Sequence, residues 1–489
     1  MSHLARISFL VLLTTISFSH SATAETPSHK LADDPRVADA VNAWEEWVEY
    51  QAAINRVPGV SVGIVHDQEL IAANAFGFAN PEARKPAQPD TLYSICSISK
   101  LFTSVALLQQ RDAGKLRLDD LVTEHLPWFN IEDVHPDDGP ITIRGLLTHS
   151  AGLPAESDYP YWTDADHPFP TREQIKARLG EQRTLYPASR YFEYSNLGLT
   201  LAGEIVAATS GKAFGEYIQA NILEPLGMRN TFTEFPKDLH GERLAVGHSA
   251  RKRDGSRDVI LPYQVRGIAP AAGFASNVED LAKFAMWQFR LMSSGGREVL
   301  QASTLREMQR VHWVDPDWKW TWGLGFEVTR QDDRTFVGHS GGCPGYYTHF
   351  VMEPKTKIAA ILLTNSIGSE RHLYTAKAFD LIGPAIEKAL EDPDGAPKRD
   401  RDLDRYVGIY DSIWGQNAII RWEDGLAELL LWSRDPKEAL TRLKRTGDHT
   451  FRRIRKDDDE LGEAFTFDVS DDGTVSRYKQ HSSWYVKVR

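Results

Sequence analysis

The chain has 489 residues, 42% of them hydrophobic and 25% charged, with a formal net charge of −12. It exceeds a typical single domain and carries enough apolar content for a large core. The acidic balance argues against nucleic acid or an anionic membrane as a partner.

Residues 1–24 read as a secretory signal, with Arg6, an apolar run from Ile7 to Phe18, and Ala22-Thr23-Ala24 as the cleavage site before Glu25. The run is shorter than a membrane span of about 20 residues, and no cysteine follows it to accept a lipid. Loss of the one arginine in this segment takes the charge from −12 to −13. The mature protein is therefore expected free of a membrane anchor, in the periplasm or secreted.

Val37, Val41, Trp44 and Val48 mark an amphipathic helix. Val60 to Val65 and Leu70 to Ala75 read as a hairpin. A strand-like lead-in, Thr91 to Ile95, then runs into a helical pattern with Leu101, Val105 and Leu108 on one stripe and Gly114 as its stop. Within that transition lies Ser97-Ile98-Ser99-Lys100. A serine on the first helical turn has the lysine on the same face at i+3, about 5–6 Å away between Cβ atoms, so the two side chains can share a proton. The same S-x-x-K spacing recurs at Ser249 to Lys252 and Ser476 to Lys479. The first recurrence lies in a charged stretch, and the second in an alternating run where i and i+3 face opposite ways.

Serine is a poor nucleophile until a base takes its proton. A lysine at its ordinary pKa of about 10.4 is neutral in roughly one molecule in 2,500 at pH 7, so Lys100 must be desolvated, placed near another cation, or replaced by another base. Tyr194, in Tyr194-Ser195-Asn196, is the other proton carrier. Asn196 is suited to hold Lys100 or a substrate amide. Alone, this tripeptide is an ordinary turn before a helix.

Between these motifs, Glu156 to Pro170 carries Tyr159, Tyr161, Trp162 and Phe169 among acids and prolines. It reads either as a packed loop or as a lid setting substrate choice. Trp313 to Phe326 carries the same ambiguity. Val337 to Gly342 reads as a cleft-lining strand whose glycines admit a ligand backbone. There His339, Ser340, Gly341 and Gly342 form a substrate-binding wall, and the glycine pair and Ser97 are candidate oxyanion donors. A protonated His339 would grip a substrate carboxylate.

Phe350 to Met352 and Ile358 to Leu363 form a second strand pair. Strands at both ends of a helical middle imply one sheet built from distant segments, a helical second lobe and a cleft between them. Residues 25–390 are read as this unit and 391–400 as a charged Pro/Gly-bearing linker. Residues 401–489 hold short β runs separated by turn signals, a small antiparallel barrel. Cys96 and Cys343 flank the first and third motifs, and are expected unpaired as buried small-residue packing. A Cys96/His339 thiol hydrolase is a rival that leaves Ser97, Lys100 and Tyr194 unused. There is no H-E-x-x-H, no paired cysteine cluster and no phosphate-binding glycine loop, so no metal or other cofactor is required.

In order and context, Ser94 to Thr103, Ile141 to Pro154, Tyr194 to Gly203, Pro225 to Met228 and His339 to Gly345 resemble the serine β-lactamase and penicillin-binding-protein superfamily. The likeness is to the branch with class C β-lactamases, DD-carboxypeptidases, D-aminopeptidases and esterases. The resemblance implies an α/β (α+β) fold, an antiparallel sheet flanked by helices with a helical lobe, and a lipocalin-like C-terminal barrel. It further implies Ser97 as acyl-enzyme nucleophile with Lys100 and Tyr194 as acid/base pair. Tyrosine in the second motif and histidine in the third depart from the S-D-N and K-T-G pattern. They point to a peptidase or esterase acting on small peptides, amides or esters, ahead of a β-lactamase or a penicillin-binding sensor that acylates without turnover.

Overall fold

The computed structural model describes residues 30–159, 161–162, 168–318 and 320–489; the expected signal segment lies outside them. Helix α1 (Pro35–Ile54) starts where Asp34 accepts the Arg36 N–H and Pro35 supplies a preset φ. It leads into the hairpin β1 (Gly59–His66) and β2 (Glu69–Asn80), which β3 (Lys85–Pro86) extends. Helix α2 (Ser99–Asp112) follows, then α3 (Asn196–Ser210) and α4 (Val278–Ser294). The remaining strands of the sheet are β4 (Trp313–Val314), β5 (Thr321–Trp322), β6 (Glu327–Gln331), β7 (Arg334–Cys343), β8 (Tyr346–Glu353) and β9 (Ile358–Thr364). Helix α5 (Arg371–Glu391) closes this part of the chain.

The strands form one antiparallel nine-stranded sheet in the order β3-β2-β1-β9-β8-β7-β6-β5-β4. N- and C-terminal segments meet at its centre, where Val60 pairs with Thr364 and His66 with Ile358. Alternation sends Val62, Ile64 and Leu362 to one face, against Trp44, Trp47 and Ile382 of α1 and α5. Val65, Phe350, Ile361 and Leu363 go to the other, against Leu101, Phe102, Leu281 and Phe284 of α2 and α4. At Gly63 a Cβ would collide with the Val278 side chain, so α4 can approach the sheet only over glycine.

A closed antiparallel barrel follows, with β10 (Gly408–Ser412), β11 (Gly415–Trp422), β12 (Gly425–Leu430), β13 (Leu440–Arg445), β14 (Thr450–Ile454), β15 (Leu461–Val469), β16 (Val475–Gln480) and β17 (Ser483–Lys487). Its interior is filled by Tyr406, Tyr410, Ile419, Phe451, Phe467 and Tyr478. The outward residues of the same strands, Ala418, Ile420, Ala427 and Leu429, share one core with α1 and α5. The barrel therefore docks on the sheet face opposite α2. Trp47 and Gln51 of α1 seal the junction by donating to the carbonyls of Ser433 and Leu431. No helix among the described residues is long and apolar enough to cross a membrane.

Candidate active site

Ser97 lies in a 3₁₀ turn, Cys96–Ile98, that runs straight into α2. Of residues 91–100 it is the one not buried. Cys96 before it has φ of 50°, a left-handed conformation that costs free energy in a non-glycine residue. Cys96 and Cys343 form a disulfide with Cα atoms 5.7 Å apart, which corrects the expectation that they are unpaired. Sequence separation hid the pairing: sheet assembly brings the end of β7 onto the Ser97 turn, where Thr348 also donates to the Ile95 carbonyl.

Lys100 has no exposed surface. Its Nζ lies 2.9 Å from Ser97 Oγ, 2.6 Å from Asn196 Oδ1 and 2.8 Å from the Ala271 carbonyl. All three neighbours are neutral oxygens. Burial therefore lowers the Lys100 pKa to about 7, opposed in part by the Glu156 carboxylate. A neutral amine has two N–H donors and one lone pair. Two carbonyl oxygens can take the donors while Ser97 O–H donates to the lone pair, so one geometry serves both protonation states.

Ser195 caps α3 by accepting the Gly198 N–H, which fixes Tyr194 and Asn196 on either side of the helix start. The Tyr194 ring lies under Lys100, 4.9 Å from Nζ to centroid. Burial raises the phenol pKa, although a hydrogen bond with Ser97 opposes the shift. The resting phenol therefore keeps its proton, and Lys100 is the better resting base.

His339 on β7 is 3% exposed. Its Nδ1 is 2.6 Å from the Ser340 carbonyl, which assigns the proton to Nδ1 and leaves Nε2 as acceptor, 3.5 Å from the Tyr194 hydroxyl. Burial lowers the imidazole to about 3 and nearby Lys100 adds to the effect. A ring held neutral in this way lacks the positive charge that a grip on a carboxylate needs, since a sealed imidazole next to a cation site disfavours its own protonation.

Gly341 packs on the Ile95 carbonyl and Thr348 Oγ1 where no Cβ fits. Gly342 is exposed at the cleft edge. Ser340 contributes its carbonyl to the His339 ring. The other two S-x-x-K matches are surface features: Lys252 pairs with Asp258 at 2.7 Å, and Ser476 and Lys479 are exposed on β16.

Four groups at the site were given no role from sequence. The Ala271 carbonyl has no side-chain signature to find. His149 lies inside the matched segment, accepts the Ser195 N–H at 3.0 Å and stacks on Tyr194 at 4.3 Å. Arg371, at the start of α5, donates to the Gly341 carbonyl at 3.0 Å and covers the Tyr347 ring at 3.9 Å. Glu156, first residue of the aromatic segment, accepts from Asn196 Nδ2 at 2.6 Å. Tyr161 and Phe169 of that segment are buried, so its described part is a packed wall. Among the described residues no group of three or more His, Cys, Asp or Glu is placed to hold a metal ion.

Comparison with known proteins places this arrangement among relatives. The family model described as Beta-lactamase matches residues 44–383. Beta-lactamase-like protein 2 of Dictyostelium discoideum is 25% identical over 75% of this chain and 66% of its own length. The chain thus spans just under two thirds of the first curated relatives it matches. The octameric penicillin-binding protein homologue from Pyrococcus abyssi superposes with a TM-score of 0.61, 25% identity, and coverage of 91% of this chain and 100% of that one. The D-amino acid amidase from Ochrobactrum anthropi SV3 gives 0.58 and 25% identity over 73% of this chain and 99% of that one.

Proposed function

The chain belongs to the beta-lactamase family, and from that premise we propose that it is a serine hydrolase acting through an acyl-enzyme on small amides, peptides or esters. The observation that carries this reading is the contact between the Lys100 amine, pulled down to about 7, and the half-exposed Ser97 hydroxyl. Neutral Lys100 takes the Ser97 proton as Oγ attacks the substrate carbonyl. The oxyanion forms against backbone N–H groups of Ser97 and the Gly341-Gly342 edge. Tyr194, between Ser97 and His339 Nε2, delivers its proton to the leaving group, and the proton that Lys100 took from Ser97 passes to the phenolate, returning both groups to their starting state. Water then repeats the cycle on the acyl-enzyme, restoring the serine.

A neutral His339 removes the fixed cation of the third motif, which favours amide and ester substrates over penicillins. The amidase relative supports the same class. The N-terminal apolar run and the Cys96–Cys343 disulfide support action in an exported, oxidising compartment, a location checked by N-terminal sequencing of the mature chain.

Intact-mass measurement after incubation with a fluorophosphonate, a fluorescent penicillin and a nitrophenyl ester tests the reaction. The expected result is a stable phosphonyl adduct at Ser97, ester turnover, and slow or absent penicillin acylation. No adduct with any probe would sink the proposal, and a lasting penicillin adduct without turnover would convert it to a sensor.

A further inference from the structure

Glu156 lies beside the site yet touches neither Ser97 nor Lys100. Its carboxylate receives three neutral donors: Asn196 Nδ2 at 2.6 Å and Trp162 Nε1 at 2.9 Å on Oε1, and the Tyr161 hydroxyl on Oε2. A carboxylate only accepts. The Asn196 amide therefore has to present its NH₂ to Glu156 and its oxygen to Lys100, where Nζ lies 2.6 Å away.

That orientation matters for the lone pair of a neutral Lys100. With Asn196 Oδ1 and the Ala271 carbonyl both acceptors, the two amine N–H groups are committed, and the lone pair is left facing Ser97 Oγ. Were Asn196 turned over, its NH₂ would compete with the Ser97 hydroxyl for that lone pair and the base would be aimed away from the nucleophile.

We propose that Glu156 is a positioning residue that locks the Asn196 amide so that the free electron pair of Lys100 points at Ser97. This rests on the serine-hydrolase reading above. The groups facing Lys100 are Tyr194 ahead of α3, His149 in the loop after residues 143–147, His339 on β7 and, behind Asn196, Glu156; Arg371 of α5 acts on His339 and Tyr194. Glu156 is the one whose charge holds a proton on the lysine.

The test is the second-order rate of Ser97 phosphonylation by a fluorophosphonate, followed by intact mass across pH 5 to 9 in the full-length protein. Glu156→Gln can pair with Asn196 in either orientation and carries no charge. It is expected to slow labelling about 100-fold, the low end of what a positioned acid/base group contributes. The rise of rate with pH should move down by about 0.5–1 unit, because the charge favouring the protonated lysine is gone. Glu156→Asp, which keeps the charge but withdraws it from Asn196, is expected to slow labelling while leaving the midpoint in place. On an Asn196→Ala background Glu156→Gln should add almost nothing to the rate loss, since the two act as one unit.

Full additivity on that background, or a wild-type rate and midpoint in Glu156→Gln, overturns the lock. So does a Glu156→Gln effect confined to KM for amine-bearing substrates. If Glu156→Gln fails to fold, the Glu156→Asp profile still decides, because an unchanged rate there overturns the proposal. Absence of any adduct in the wild type sinks the serine mechanism and this proposal together, whereas a labelled wild type with an unaffected variant removes only the role of Glu156.

Discussion

Two sealed charges, Lys100 beside α2 and Glu428 inside the barrel, have been treated in opposite ways. Glu428 is 1% exposed and receives Asn417 Nδ2 at 2.9 Å, the Tyr478 hydroxyl at 3.2 Å and the Arg453 guanidinium at 3.3 Å. Its burial is offset by a counter-charge and two donors, an arrangement that holds strands β11, β12, β14 and β16 together. Lys100 is equally sealed but has only neutral acceptors in contact, with its one opposing carboxylate kept behind Asn196. Burial still raises the Glu428 carboxyl, but Arg453 and the two donors oppose that shift by direct contact and make the group structural. A buried charge given neutral oxygens keeps a proton it can exchange.

The sharpest break in this contrast is at the group Lys100 serves. Ser97→Ala is expected to abolish fluorophosphonate labelling and to lower ester or amide turnover by about 10⁶-fold, the scale for a lost nucleophile in a concerted unit. Unfolding should be little changed, because the half-exposed hydroxyl is not a core group. Retained activity in Ser97→Ala together with a dead Cys96→Ser would transfer the chemistry to a thiol, against the disulfide that occupies it.

Next in size are the proton carriers. Lys100→Ala and Tyr194→Phe should each slow acylation by about 10²–10⁴-fold. The double variant should fall well short of the product of the two, since both act on one proton path. In the wild type the acylation rate should rise with pH through about 7, where Lys100 loses its proton. Stopped-flow acylation across pH 5.5 to 9 measures both, and a flat profile would leave Lys100 without its role as base.

Much of this site was readable from local spacing. Ser97 and Lys100 follow from i,i+3 geometry at a helix start, and Tyr194 and Asn196 from the order of their tripeptide between the other two motifs. The sheet followed from short β-type apolar runs at Val60 to Val65 and Ile358 to Leu363. The missing parts depend on tertiary assembly. The Cys96–Cys343 bond joins residues 247 apart in sequence, Ala271 contributes backbone alone, and Arg371 reaches Gly341 only because α5 packs beneath β7. The charge of His339 was not legible for the same reason. Its state depends on burial, and burial is a property of the assembled sheet.

The barrel side of the comparison is tested by Glu428→Gln, which leaves Arg453 without its counter-charge. Loss of about 1–3 kcal/mol is expected in denaturant unfolding, the usual range for a broken buried polar contact. The Ser97 labelling rate should be unaffected, because the barrel docks on the face away from α2. A fall in labelling without a fall in stability would mean that the two clusters communicate.

An effect confined to acid pH concerns His339, which lacks a counter-charge as Lys100 does but has been driven neutral. Its folded pKa is lowered to about 3, against about 6.5 in an unfolded chain. Between those values the unfolded state holds one more proton, so stability rises with pH across the window. The neutral ring therefore contributes no pH dependence above about 6.5, and stability is lost progressively as pH falls from there towards 3. One proton of difference gives a slope of about 1.4 kcal/mol per pH unit in the middle of that window. Lys100 adds no slope there, because it is protonated in both states below its value of about 7. His339→Asn keeps a donor for the Ser340 carbonyl but cannot titrate. It should flatten the stability curve between pH 6 and 4 by up to that slope, while the buried neutral rings of His149 and His349 maintain the rest of the acid sensitivity. Urea unfolding at half-unit steps of pH reads the difference, and an unchanged acid slope in His339→Asn would mean that the ring already takes up its proton in the folded protein.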